Sequence, residues 1–182
     1  MPYAITGYFD ANCSLKIREI WKGLAENNID DYMYKSENDP HFKLSMYADL
    51  DLKSASEILD EIISKNSCID LIIKNLSFYF TNNYVISLNI ASSTELLDFQ
   101  QNVKMNFDLV GKSLPDDYFD RGKRQPECPL TTSSFPMKKE KLSKAAEYLS
   151  TVELPISGRL EKIGIIEFHP AKKITTVPLK NI

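Results

Sequence analysis

Apolar spacing switches between strict alternation and helical period along all 182 residues, and this interleaving restricts the fold more than any single residue does. Residues 3–10 are rich in β-formers and stop at an Asp-Ala-Asn turn, which predicts a strand. Ser14 then opens a helix with Leu15, Ile17, Ile20, Trp21 and Leu24 on one stripe, closed by Asn27 and Asn28. A short strand at 32–34 precedes a polar loop ending in Pro40. A strand at 41–48 follows, then a helix from Asp51 or Ser54 to Lys65 that buries Ile58, Leu59, Ile62 and Ile63. Two strands, 68–81 and 84–91, flank an Asn82-Asn83 hairpin turn. Ser92 and Glu95 form a capping box for a helix carrying Leu96, Phe99, Val103 and Phe107. Residues 112–128 lose periodicity and form an exposed connection. Beyond it come an extended run at 129–135, a helix at 137–152 with Leu142, Ala145, Ala146 and Leu149 inward, and strands at 160–168 and 174–179.

Strands and helices thus alternate in two comparable halves. This order suggests an internally duplicated α/β or α+β fold with a cleft between the halves, a place where ligand sites commonly lie. The 43% hydrophobic content supplies a core for a chain of this length.

Composition narrows the chemistry. Lys and Arg number 22 against 25 Asp and Glu, so the net charge of −3 disfavours holding duplex nucleic acid by bulk charge. Cys13, Cys68 and Cys128 are odd in number and widely spaced, without a secretory leader, which reads as reduced thiols in a cytoplasm. No apolar run reaches the roughly 20 residues of a membrane span. With only His41 and His169, no multi-histidine metal cage is available, and no cofactor motif occurs.

The informative stretch is residues 40–44. A histidine directly after Pro40 at a strand start, with a polar residue two places on, sends His41, Lys43, Ser45 and Tyr47 to one face and Phe42, Leu44 and Met46 to the other. The plainer alternative for His41 is a strand-end imidazole satisfied by loop carbonyls; for Lys43 it is a solvated strand lysine.

His followed two residues later by Thr or Ser and then an apolar residue is the tetrapeptide of the two-histidine phosphoesterase superfamily, which includes 2′-5′ RNA ligases and cyclic phosphodiesterases. The chain resembles this family over its whole length: the opening strand and the helix with Trp21, the Pro40-His41 strand, the hairpin with Phe78 and Phe80, the loop before Pro129 and the closing strand through Phe168. The resemblance implies one two-lobed α+β domain over residues 1–182, with antiparallel-rich sheets flanked by helices around a central cleft. It also implies two such tetrapeptides facing each other across that cleft, one imidazole removing a proton and the other protonating the leaving oxygen, with hydroxyls on the phosphate.

Each motif is half complete. The first keeps His41 but has Lys43 at the hydroxyl position. The second, matched at Pro129, has Leu130 at the histidine position and keeps Thr132. A register with Cys128 at the histidine position would put Leu130 at the hydroxyl position and suits phosphate less well. His169, followed by Pro170 and Ala171 beside a Lys172-Lys173 turn, does not replace the missing group. The resemblance then implies His41 as the catalytic acid or base and Lys43, Ser45, Thr132 and Ser134 as phosphate contacts. No metal or cofactor is implied, and the partner is a nucleotide or RNA end. Slow hydrolysis of a cyclic phosphate or 2′,5′-linked nucleotide, binding without turnover, and a scaffold role all remain open. The basic window from Arg121 to Lys144 would steer an anion, and Tyr118 and Phe119 would stack a base or anchor the loop.

Overall fold

The computed structural model describes residues 2–36, 38–80, 84–114, 125–132, 137–168 and 172–181. Strand β1 (Tyr3–Phe9) leads through helix α1 (Ala11–Glu26) and the single-turn α2 (Tyr32–Lys35) to β2 (His41–Leu50) and α3 (Leu52–Lys65). The pair β3 (Ile69–Phe80) and β4 (Tyr84–Ile90) precedes α4 (Thr94–Phe107), β5 (Gly111–Ser113) and β6 (Glu127–Pro129). A 3-10 turn at Lys139–Lys141, α5 (Leu142–Leu149), β7 (Ile156–Glu167) and β8 (Lys172–Pro178) follow. The class is α+β, an antiparallel sheet flanked by helices, as the family resemblance implies. Asn82 and Asn83 lie outside the described residues.

Local chemistry explains where elements begin. Asp10, predicted to end a strand in a turn, is the N-cap of α1 and accepts from the Asn12 and Cys13 amides at 2.9 and 3.0 Å. Helix α4 is capped one residue later than the capping box predicts, with the Leu96 amide donating to Ser93 Oγ at 3.1 Å. Residues 32–34 are helical rather than extended. The Asp30 carboxylate accepts from the Tyr32 amide at 3.0 Å and turns the chain, burying Met33. Helix α5 starts at Leu142 rather than Met137, and within it Ala145 and Leu149 face inward while Ala146 is exposed. Lys172 and Lys173 open β8 rather than forming a turn.

The strands join in one sheet of order β5-β2-β1-β7-β3-β4-β6. Strand β7 has one edge on β1 and divides the other between β3, along Ile156–Leu160, and β8, along Lys162–Glu167. The sheet is strongly curved, because β6, at one end of this order, packs against β2 near the other end. Helix α1 closes this junction: Trp21, almost fully buried, donates from Nε1 to the Pro129 carbonyl at 3.1 Å. On its outer side α1 meets α5, where Tyr148 donates to the Ile20 carbonyl at 3.3 Å. Gly23 permits this approach, since a Cβ there would stand 1.9 Å from the Tyr148 hydroxyl.

An irregularity in the β1–β2 pairing decides which side chains share a face. Tyr8 opposes His41 and Thr6 opposes Lys43, but Ile5 opposes Ser45 and Tyr3 opposes Tyr47, so one residue of β2 bulges at Leu44. Directly opposed residues point to the same side of a sheet, and Thr6 and Ile5 point to opposite sides. The bulge therefore turns Ser45 and Tyr47 away from His41 and Lys43, where unbroken alternation predicts all four together. Tyr47 is buried against α4, its hydroxyl 3.3 Å from the Lys104 carbonyl and 3.1 Å from Asp108.

Replacing Trp21 with Phe removes the only side-chain hydrogen bond that Trp21 offers and leaves a smaller ring in the same space. The expected loss is about 2 kcal/mol, read as a lower urea midpoint by circular dichroism. An unchanged midpoint would show that α1 does not hold β6 in place.

Candidate functional site

The polar face is built on neighbouring strands. Thr6 opposes Gly164 of β7, which in turn opposes Thr176 of β8, and Tyr8 and Lys43 stand on the same side. His41 sits opposite Tyr8, with ring centroids 5.9 Å apart. A Cβ at Gly164 would meet the Thr175 carbonyl oxygen at 2.6 Å, Thr176 Oγ1 at 2.9 Å and Tyr8 Cε2 at 3.0 Å, so the β8 backbone and both side chains close over a position that only glycine can occupy. The Thr6 hydroxyl is spent on the Gly164 carbonyl at 3.3 Å.

His41 is 5% exposed. Its Nδ1 lies 2.8 Å from the Asp39 carbonyl. A carbonyl oxygen only accepts, so Nδ1 carries the proton and Nε2 is the unprotonated nitrogen of the neutral ring. Burial above all lowers the His41 pKa to about 4, and the charges of Lys43 and Lys173 act in the same direction against the opposing Asp39 contact. The imidazole is therefore neutral near pH 7.

Asp39 also organises the cations. Its two carboxylate oxygens take Arg18 at 2.7 Å and Lys173 at 2.8 Å. Burial pushes this carboxyl up, but the Lys173 and Arg18 contacts outweigh it and hold it below its ordinary value. Lys173 Nζ stands 5.7 Å from the centre of the Tyr8 ring, and Lys43 Nζ stands 5.0 Å from that of Phe168. Among the described residues, Arg18, Lys43 and Lys173 stand with Asp39 around a neutral imidazole.

Of the residues expected to form the site, His41 and Lys43 share this face and Ser45 does not. The second motif lies beside β2, since the His41 backbone N–H faces the Cys128 sulfur. Leu130, at the position of the missing histidine, is 1% exposed and belongs to the core that also holds Cys128, Ile86 and Leu88. The Thr131 hydroxyl accepts from the Ile86 amide at 2.9 Å. Thr132 follows, half-buried, at the edge of the described residues, and Ser134, His169, Tyr118 and Phe119 lie outside them. Burial pushes the Cys128 thiol far up, which suits packing and not nucleophilic attack. In the basic window, Arg121, Lys123 and Arg124 lie outside the described residues, and Lys141 is tied to the Ile29 carbonyl at 2.9 Å.

Tyr8, Asp39, Lys173 and Thr176 were not singled out by sequence pattern. The available signal was the alternation of Thr6 and Tyr8 in the first strand, which is as polar on one side as the motif strand. Among the described residues there is no group of three His, Cys, Asp or Glu side chains arranged to hold a metal ion, and no helix long and apolar enough to cross a membrane.

No family model and no curated protein matches the sequence. Solved structures do match in three dimensions. A protein of Thermus thermophilus superposes with a TM-score of 0.64 at 10% identity, over 100% of this chain and 99% of that one. E. coli LigT complexed with 3′-AMP gives 0.56 at 12% identity, over 99% and 97%. Usb1 of Kluyveromyces marxianus gives 0.54 at 8%, over 98% and 97%. At such identities the likeness is one of fold: the chain has a LigT-like α+β fold.

Proposed function

We propose that this protein binds a phosphorylated nucleotide or RNA end on the polar face of β1, β2, β7 and β8, and does so without efficient turnover. The observation that carries the reading is a neutral, buried His41 beside Lys43 and Lys173, which joins a hydrogen-bond acceptor to an anion-attracting field. The complex of E. coli LigT with 3′-AMP, on the same fold, supports a nucleotide as the ligand. In this reading the two wings of the sheet that meet at β7 act as the lobes of a cleft.

The chemistry is one-sided. The unprotonated Nε2 of His41 is suited to accept a proton from an attacking hydroxyl or water. A leaving oxygen then needs a donor, and Leu130 supplies none. Loss of one general acid or base typically costs roughly 10²–10⁴-fold in rate. Binding without turnover therefore fits better than catalysis. Slow, His41-dependent hydrolysis is the second reading, favoured by the neutral base.

Calorimetric titration with 3′-AMP is expected to show saturable binding that weakens with salt. Absence of binding at low ionic strength would sink the proposal. With a nucleoside 2′,3′-cyclic phosphate as substrate, the wild type and His41→Ala are expected to give the same background rate. Turnover by the wild type above that of His41→Ala would establish the second reading in place of the first.

Stability should report the same histidine. Unfolded His41 titrates near 6.5 and folded His41 near 4, so below pH 6.5 the unfolded chain takes up a proton that the folded one refuses. The stability that His41 contributes is full above pH 6.5 and falls as the pH drops towards 4, by up to roughly 3 kcal/mol. In His41→Asn, whose amide mimics Nδ1–H, the fall in urea midpoint between about pH 7 and pH 4 should be smaller than in the wild type. Equal pH dependence in the two proteins would mean that His41 titrates normally.

A further inference from the structure

Among the described residues three buried hydroxyls have no hydrogen-bond partner: that of Ser45 lies on the core side of the sheet, and those of Tyr8 and Thr176 lie on the polar face. Tyr8 is 3% exposed, with its ring beside that of His41, and both its ring and Thr176 Oγ1 close over Gly164. An unsatisfied buried hydroxyl costs about 1–3 kcal/mol, and folded proteins hold few of them. Replacing either oxygen with a methyl or a hydrogen would remove that cost, so stability does not account for these two residues. Both hydroxyls are donors, and the charges near them among the described residues include the ammonium groups of Lys173 and Lys43 and that of Lys162, which opposes Tyr8 on β7, with Asp39 already engaged by Arg18 and Lys173. Such a set of donors and cations complements an anion with several acceptor oxygens.

We propose that the Tyr8 and Thr176 hydroxyls are phosphate-oxygen donors, with Lys173 and Lys43 supplying charge, so that β1, β2 and β8 hold the phosphate without the second motif. The inference rests on the phosphate-binding reading above and names the residues that carry it. The phosphate oxygens accept from Tyr8 Oη and Thr176 Oγ1, and the Lys173 ammonium beside the Tyr8 ring offsets their charge. His41 Nε2, an acceptor, repels phosphate oxygens and matches a ligand hydroxyl instead. The ligand class is therefore a phosphate monoester carrying a neighbouring hydroxyl, as in a ribonucleotide 2′- or 3′-phosphate.

The test uses the full chain, 3′-AMP and inorganic phosphate as probes, and the variants Tyr8→Phe and Thr176→Val. Each variant is expected to weaken 3′-AMP binding by about tenfold or more, since hydrogen bonds to a charged acceptor are strong. Each free variant is expected to melt at or above the wild-type temperature, because neither hydroxyl has a partner to lose. Wild-type affinity in both variants overturns the inference and leaves the binding reading standing. A free Tyr8→Phe protein that melts several degrees lower also overturns it, by showing that the hydroxyl serves the fold. If the wild type binds neither probe, both fail together. Binding of 3′-AMP tighter than that of inorganic phosphate supports the hydroxyl contact to His41, and equal affinities overturn that part.

Discussion

Strand β7 is the constraint on which the rest depends. Its twelve residues are paired with β1 along one edge and with β3 and then β8 along the other, so three other strands take their register from it. Gly164 sits where β1, β7 and β8 run side by side, and it has no side chain to fill the polar face. Tyr8 and Thr176 fold into that space, and the row they form lies next to the Pro40-His41 strand. A strand satisfied on both edges is rigid, and this rigidity keeps donors from neighbouring strands in one place.

The electrostatics follow from burial. An imidazole this deep would lose too much hydration if charged, and the cations beside it oppose its charging further. Asp39 contributes twice: its carbonyl fixes which nitrogen of His41 holds the proton, and its carboxylate draws Lys173 over Tyr8. The result in this account is a site that attracts an anion strongly and moves protons poorly. A paired-histidine mechanism needs a charged donor opposite the base, and at that point, just after β6, the chain places Leu130 in the core.

Much of the fold was legible in the sequence, because helical and alternating periods are properties of segments. The Pro40-His41 strand, the stripe of α3 and the long helix α4 all follow from spacing. The errors fall where a single local contact decides. Asp10 caps a helix instead of closing a turn, Asp30 turns residues 32–34 into a helix, and Ser93 caps α4 in place of Ser92. The site was less legible. Alternation sent Ser45 to the side of His41, and the bulge at Leu44, set by pairing with β1, reversed it. Tyr8 and Thr176 lie near opposite ends of the chain, and only the strand order brings them together.

The most direct test of the central claim is a crystal structure of the protein with 3′-AMP bound. The account predicts the phosphate within hydrogen-bond distance of Tyr8 Oη and Thr176 Oγ1, beside Lys173, with a ribose hydroxyl at His41 Nε2. A phosphate held instead by Thr132 and the second motif, away from Tyr8 and Thr176, would contradict it.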